Sequence, residues 1–117
     1  MPVSPEKVDQ FLQRLGEVRP ITSRKMFGGI GLYSDGVFFA VIDNDRLYFK
    51  SDAETDPTYE AHGSAQWVIE GDPPSPMPYR EVPASVFAGP DLGAWIDAAV
   101  AVATRKKSAP KRARPKT

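Results

Sequence analysis

Between residues 22 and 50 the chain alternates in the manner of strands, and two turn signals cut that stretch into segments. Asp35-Gly36 is a strong two-residue hairpin signal, because a tight turn of this type needs backbone angles that few residue pairs adopt. Asp43-Asn44-Asp45 turns the chain a second time. Around these turns, Ile30 to Tyr33, Val37 to Ile42 and Arg46 to Lys50 read as a three-stranded antiparallel meander. Thr22 to Phe27 reads as an extended entry, and Gly28-Gly29 as a bulge or bend.

Helical spacing flanks this core. Ser4, Pro5 and Glu6 have the character of a helix start, in the order cap, first-turn proline and acid at the positive helix end. Val8, Phe11, Leu12, Leu15 and Val18 then form one apolar stripe, and Pro20 ends it. Asp52 can cap a short second helix near Ala53 to Ala61, shortened or delayed by Pro57. Gln66 to Glu70 and Tyr79 to Val82 read as further strands, separated by a loop with four prolines, and Pro83 to Gly89 reads as irregular. Asp91 caps a last helix with Leu92, Trp95, Ile96, Ala99, Val100 and Val102 on its apolar face. The order is α-β-β-β-α-β-β-α, which predicts a two-layer α+β domain with an antiparallel sheet packed by helices.

At 117 residues, 41% apolar and 26% charged, the chain has the size and composition of one globular domain. It has no cysteine, which excludes disulfides, thiolate metal sites and a cysteine nucleophile. The longest apolar run, Val37 to Ile42, is far shorter than the ~18 residues of a membrane span. With no export signal read at the N-terminus, a cytoplasmic protein is expected.

The formal net charge of zero conceals two unlike parts. Residues 1–104 hold 8 Lys/Arg and all 15 Asp/Glu, a net of −7, whereas residues 105–117 hold 7 Lys/Arg and no acid. We therefore expect a domain over 1–104 and a basic, disordered tail over 105–117. Arg105, Lys106, Lys107, Lys111, Arg112, Arg114 and Lys116 are candidates for nonspecific contact with nucleic-acid phosphates.

Pairing across the two turns places Tyr33 opposite Phe38, Leu32 opposite Phe39, Ile42 opposite Leu47 and Ala40 opposite Phe49. One sheet face then carries Tyr33, Phe38, Ala40, Ile42, Leu47 and Phe49. The other carries Ile30, Leu32, Val37, Phe39, Val41 and Tyr48. Helices cover one face of a two-layer domain, so the second is either roofed by loops such as Pro73 to Pro78 or is an interface. The latter suggests a homodimer or protein partner, with Arg24, Lys25, Tyr33 and Tyr48 as candidate contact residues.

No catalytic constellation emerges. His62 is the sole histidine, too few nitrogen ligands for an ordinary transition-metal site. Ser64 lacks the strand-turn-helix setting of a nucleophile. Gly28-Gly29-Ile30-Gly31 leads into a strand, not a helix N-terminus, and so does not form a phosphate loop. The expectation is a non-enzymatic protein without cofactor or metal.

The run Arg24-Lys25-Met26-Phe27-Gly28-Gly29-Ile30-Gly31-Leu32-Tyr33, followed by Asp35-Gly36, Phe39-Ala40, Leu47-Tyr48-Phe49-Lys50, Met77, Tyr79, Pro83 and Leu92…Trp95…Ala99, resembles the TfoX/Sxy N-terminal domain family over about residues 6–104. The resemblance implies a two-layer fold similar to secretion chaperones and a bacterial cytosolic regulator. Name-giving members regulate natural competence, as co-activators beside the cyclic-AMP receptor protein. They carry a second, helical domain where this chain has its lysine- and arginine-rich segment. No catalytic residue is implied.

Overall fold

The structure, a computed structural model, describes residues 4–26, 29–69 and 71–112, with Met26 and residues 106–112 described by their backbone alone. The chain runs α1 (Pro5–Gly16), β1 (Thr22–Met26), β2 (Gly29–Ser34), β3 (Val37–Asp43), β4 (Arg46–Lys50), α2 (Asp56–Ala61), β5 (Gln66–Ile69), β6 (Ser75–Glu81), α3 (Ala84–Ala88) and α4 (Leu92–Arg112). Six antiparallel strands form one open sheet in the order β1-β2-β3-β4-β6-β5. The helices pack on one face, giving the expected two-layer α+β architecture.

Local chemistry accounts for most element ends. The Ser4 side chain accepts a hydrogen bond from the Lys7 N–H at the start of α1, and the Ser4 N–H donates to Asp45 at 2.7 Å, tying the helix start to the β3–β4 turn. The two hairpin turns carry positive φ at Asp35 and Gly36, and at Asn44 and Asp45, the backbone signature of turns that match strand twist. At Gly29 the constraint is steric: a Cβ there would lie 2.5 Å from the Ile42 carbonyl oxygen. Gly28, the other half of the expected bend, lies outside the described residues.

Four features differ from the sequence reading. Thr22–Met26 is a paired edge strand rather than a mere entry, and Ala84–Ala88 forms a short helix where irregular chain was expected. β6 begins at Ser75, inside the stretch expected to be a proline-rich loop, whereas α2 begins at Asp56, the late start that Pro57 suggested, with Asp52 accepting the Glu54 and Thr55 N–H groups in a turn ahead of it. α4 continues to Arg112, past the boundary expected at Thr104, so its backbone is helical over residues for which disorder was expected. Residues 113–117 lie outside the description.

The register of β2 and β3 also differs. Tyr33 faces Phe38 as expected, but Leu32 pairs with Ala40, which leaves Phe39 as an extra, unpaired residue. Such a bulge advances the strand alternation by one position. Phe39 and Ala40 therefore both point toward the helices, and both are completely buried. Ile30, Leu32 and Val37 join them on the helix side, whereas Tyr33 and Phe38 move to the opposite face. Pairings across the second turn, Ile42 with Leu47 and Ala40 with Phe49, are as expected.

The main core lies between sheet and helices. Leu15, Leu32, Phe39, Ile42, Phe49 and Ile96 are fully buried there, with Tyr59, Val86, Leu92 and Ala99 nearly so. The Arg14 guanidinium donates to the carbonyls of Phe87 and Gly89 at 2.7 and 2.8 Å, fixing α1 against the end of α3.

Candidate functional site

The sheet face away from the helices is closed by the chain itself. Val41, Tyr48, Trp67 and Tyr79 are buried in a second cluster, bordered by Phe38, Ile69 and Met77. Rings continue across it from Tyr33 to Phe38, Tyr79, Trp67 and Tyr48 at centroid spacings of 5.2 to 6.1 Å. The closure needs the β5–β6 hairpin to curl. In a flat sheet β5 would lie three strand spacings from β3, about 14 Å. Yet the Trp67 indole N–H donates to Asp43 Oδ2 at 2.9 Å. Much of the apolar surface of this face is thus covered from within the chain, with Phe38, Ile69 and Met77 partly buried at its border. Among the described residues the exposed large hydrophobic side chains are Val18, in the turn after α1, and Val68, on β5.

Desolvation pushes the Tyr79 phenol up to about 12. Tyr48 and Tyr59 are also raised, again chiefly by burial. All three are neutral hydroxyls at ordinary pH and poorly suited as bases. Asp43 Oδ1 is buried with no hydrogen-bond partner. Its other oxygen holds Trp67, which gives the residue a structural part. His62 Nδ1 lies 3.0 Å from the Thr58 carbonyl, and its ring meets the Trp95 ring edge-on. The Ser64 carbonyl accepts from Arg80, whose guanidinium also pairs with Asp56 and Glu60. Among the described residues no group of three or more His, Asp and Glu is placed to hold a metal ion, and no helix is long and apolar enough to cross a membrane.

The open sheet ends in two terminal strands, β1 and β5, each paired on one side only, and it is β1 that carries adjacent cations. Thr22, Ser23, Arg24 and Lys25 are all exposed. Arg24 sits opposite Gly31 and Lys25 opposite Ile30, so the two cations straddle the edge, one toward each face. Gly31 has no side chain to lie against Arg24, and Tyr33, opposite Thr22, shares the Arg24 face. Among the described residues neither Arg24 nor Lys25 makes an ion pair, while Arg14, Arg19, Arg46, Arg80 and Arg105 all do.

The four candidate contact residues thus separate. Arg24 and Lys25 are at the free edge, and Tyr33 is half-buried beside them, stacked on Phe38. Tyr48 is inside, 8% exposed, against Trp67. Tyr33, Phe38, Lys50, Tyr79 and Ala103 line an open cleft of about 350 Å³, in which the Lys50 ammonium lies 4.8 Å from the Tyr79 ring centre.

Of the basic segment, Arg105 is described in full. It pairs with Asp52 at 2.8 Å and Glu54 at 3.6 Å. Burial works to raise the Asp52 carboxyl, but the Arg105 side chain and the Thr55 and Glu54 N–H groups outweigh it and hold the carboxyl below its usual range. Lys106, Lys107, Lys111 and Arg112 lie on the helical backbone of α4. Arg114 and Lys116 lie outside the described residues.

The fold is a small α+β domain with an open antiparallel sheet, an aromatic second face and adjacent cations on one terminal strand. Residues 13–103 match the model of the TfoX N-terminal domain, and the chain belongs to that family. It is similar to the DNA transformation protein TfoX1 of Aliivibrio fischeri, 33% identical over 58 residues. That match covers 50% of this chain and 26% of the relative, so the matched segment spans about a quarter of that protein's length.

Proposed function

We propose that this chain is a non-enzymatic regulatory adaptor that acts in the cytoplasm through protein–protein contacts, in the control of DNA transformation. The observation that carries the reading is the β1 edge, where Arg24 and Lys25 are exposed and, among the described residues, make no ion pair, at a strand bonded on one side to β2 alone. Family membership and the relative's name supply the process. Free strand edges are a liability that proteins ordinarily cover, and a charged but unobstructed one is suited to a partner.

The test is a competence-gene reporter in a transformable bacterium that lacks its own TfoX protein. Wild-type chain is expected to raise reporter output, and Arg24→Glu with Lys25→Glu to lower that output at least about tenfold without altering the circular dichroism. Equal output from both, or none from wild type, contradicts the reading.

A second reading rests on the charge of residues 105–117, namely nonspecific association with DNA. In anisotropy titrations against duplex DNA, engagement of all seven cations gives a logarithmic salt slope of about −6. A chain ending at Thr104 is expected to lose that slope, and no binding by the full chain at low salt would refute the association.

A further inference from the structure

We infer that the β1 edge accepts an acidic, extended segment of a partner protein as a seventh strand. This rests on the adaptor reading above and specifies its partner.

Two observations select that occupant. First, the edge offers backbone rather than a pocket. β1 is five residues long and bonded only to β2, and among the described residues no backbone hydrogen bond outside the ladders reaches Thr22 to Met26. A strand laid alongside satisfies these vacant groups, and its side chains alternate between the two faces. Second, the cations match that alternation. With Arg24 on one face and Lys25 on the other, an added strand meets a positive charge on each side. Acidic residues at successive positions of that strand are paired on both faces, and cross-strand pairs of opposite charge are favourable.

The same charges argue against a second copy of this chain. A two-fold antiparallel pairing of β1 with itself centred at Arg24 sets Arg24 against Arg24. Centred at Lys25 it opposes two lysines, and centred between them it sets Arg24 against Lys25. Each of these registers opposes like charges and is disfavoured for a second copy, whereas an acidic strand is favoured in the same registers. The residues 1–104 carry a net charge of −7, which sets the cationic edge apart as the favourable place for an acidic segment to approach this body.

The test uses the full chain and three seven-residue peptides. One carries two successive acidic residues, Glu-Glu, at its centre with Val and Thr on either side, the second carries Lys in place of each acid, and the third is the acidic peptide N-methylated at alternate amides. By calorimetry and amide NMR, the acidic peptide is expected to bind, with shifts concentrated in Thr22 to Met26. Binding should be at least about tenfold weaker for the lysine peptide, for the N-methylated peptide and for the chain with Arg24→Glu and Lys25→Glu. Failure of the acidic peptide to bind, equal binding after N-methylation, or shifts centred elsewhere overturns the inference, as does concentration-dependent dimerisation through β1. Loss of reporter output in the double variant with no acidic-peptide binding leaves the adaptor reading standing and refutes strand addition. Peptide binding with reporter output unchanged in the double variant refutes the adaptor reading instead.

Discussion

Phe39→Ala is expected to destabilise the domain by about 3–5 kcal/mol, the usual cost of truncating a fully buried phenylalanine. The ring is completely buried between sheet and helices, 5.7 Å from Phe49. The position has little else to hold it, because as the bulged residue Phe39 has no cross-strand partner. Its side chain is therefore what keeps the extra residue turned inward. A small domain holds about 5–15 kcal/mol in all, so urea unfolding should show a midpoint shifted down by a large fraction with a similar slope. Deleting Phe39 outright removes the same ring while restoring regular pairing, and it leaves Val37, Ala40 and Ile42 facing the helices and Phe38 the other face, so its cost is expected to be of the same order. A loss below about 1 kcal/mol for the alanine variant would show that the bulge is not held by the ring.

Trp67→Ala is expected to cost about 3–5 kcal/mol as well, for a different reason. Trp67 is 4% exposed and meets Tyr48 and Tyr79, so its loss opens the roof over the second sheet face. It also removes the hydrogen bond to Asp43, whose other oxygen already has no partner, and an unsatisfied buried polar group carries its own penalty. Two further variants separate these contributions. Trp67→Phe keeps most of the burial and drops the N–H, and Asp43→Asn keeps an acceptor for it. Each is expected to cost less than the alanine change. Blue-shifted Trp67 fluorescence that moves to the red in a hairpin-destabilised variant would accompany closure. An alanine variant as stable as wild type would mean that the hairpin does not seal this face.

Much of this could be read from the sequence where one local rule has one outcome. Asp35-Gly36 and Asn44-Asp45 adopt the positive φ angles that such turns demand, and the Arg46–Lys50 pairings followed from them. The stripe on α1 and that on α4 were equally plain, since an apolar period of 3.6 residues has few other uses. The bulge at Phe39 was hidden because its neighbours are apolar on both sides, so a slip by one residue leaves the pattern looking the same. β1 was hidden for the opposite reason: Thr22, Ser23, Arg24 and Lys25 face solvent throughout and show no alternation. The closure of Trp67 on Asp43 spans 24 positions, and no local signal marks it. In the basic segment, alanine, lysine and arginine are good helix formers, a preference that competed with the charge-based expectation of disorder.

For the site, Arg24 and Lys25 were visible as adjacent cations beside a glycine-rich run. That they point to opposite faces of a free edge depends on the register with Gly31 and Ile30, which only the fold supplies. Tyr48 was visible as an aromatic residue on a strand, but its burial depends on a hairpin distant in sequence.

The claim that most needs testing is that the β1 edge is open in the chain as it stands. Hydrogen exchange measured on the full chain at high concentration addresses it residue by residue. The outward-facing amides of Thr22 to Met26 are expected to exchange quickly while those of β3 and β4 remain protected, as unpaired and core positions do. If β1 is instead as protected as β3 on both sides, the edge is already occupied, and it is not the surface that receives a partner.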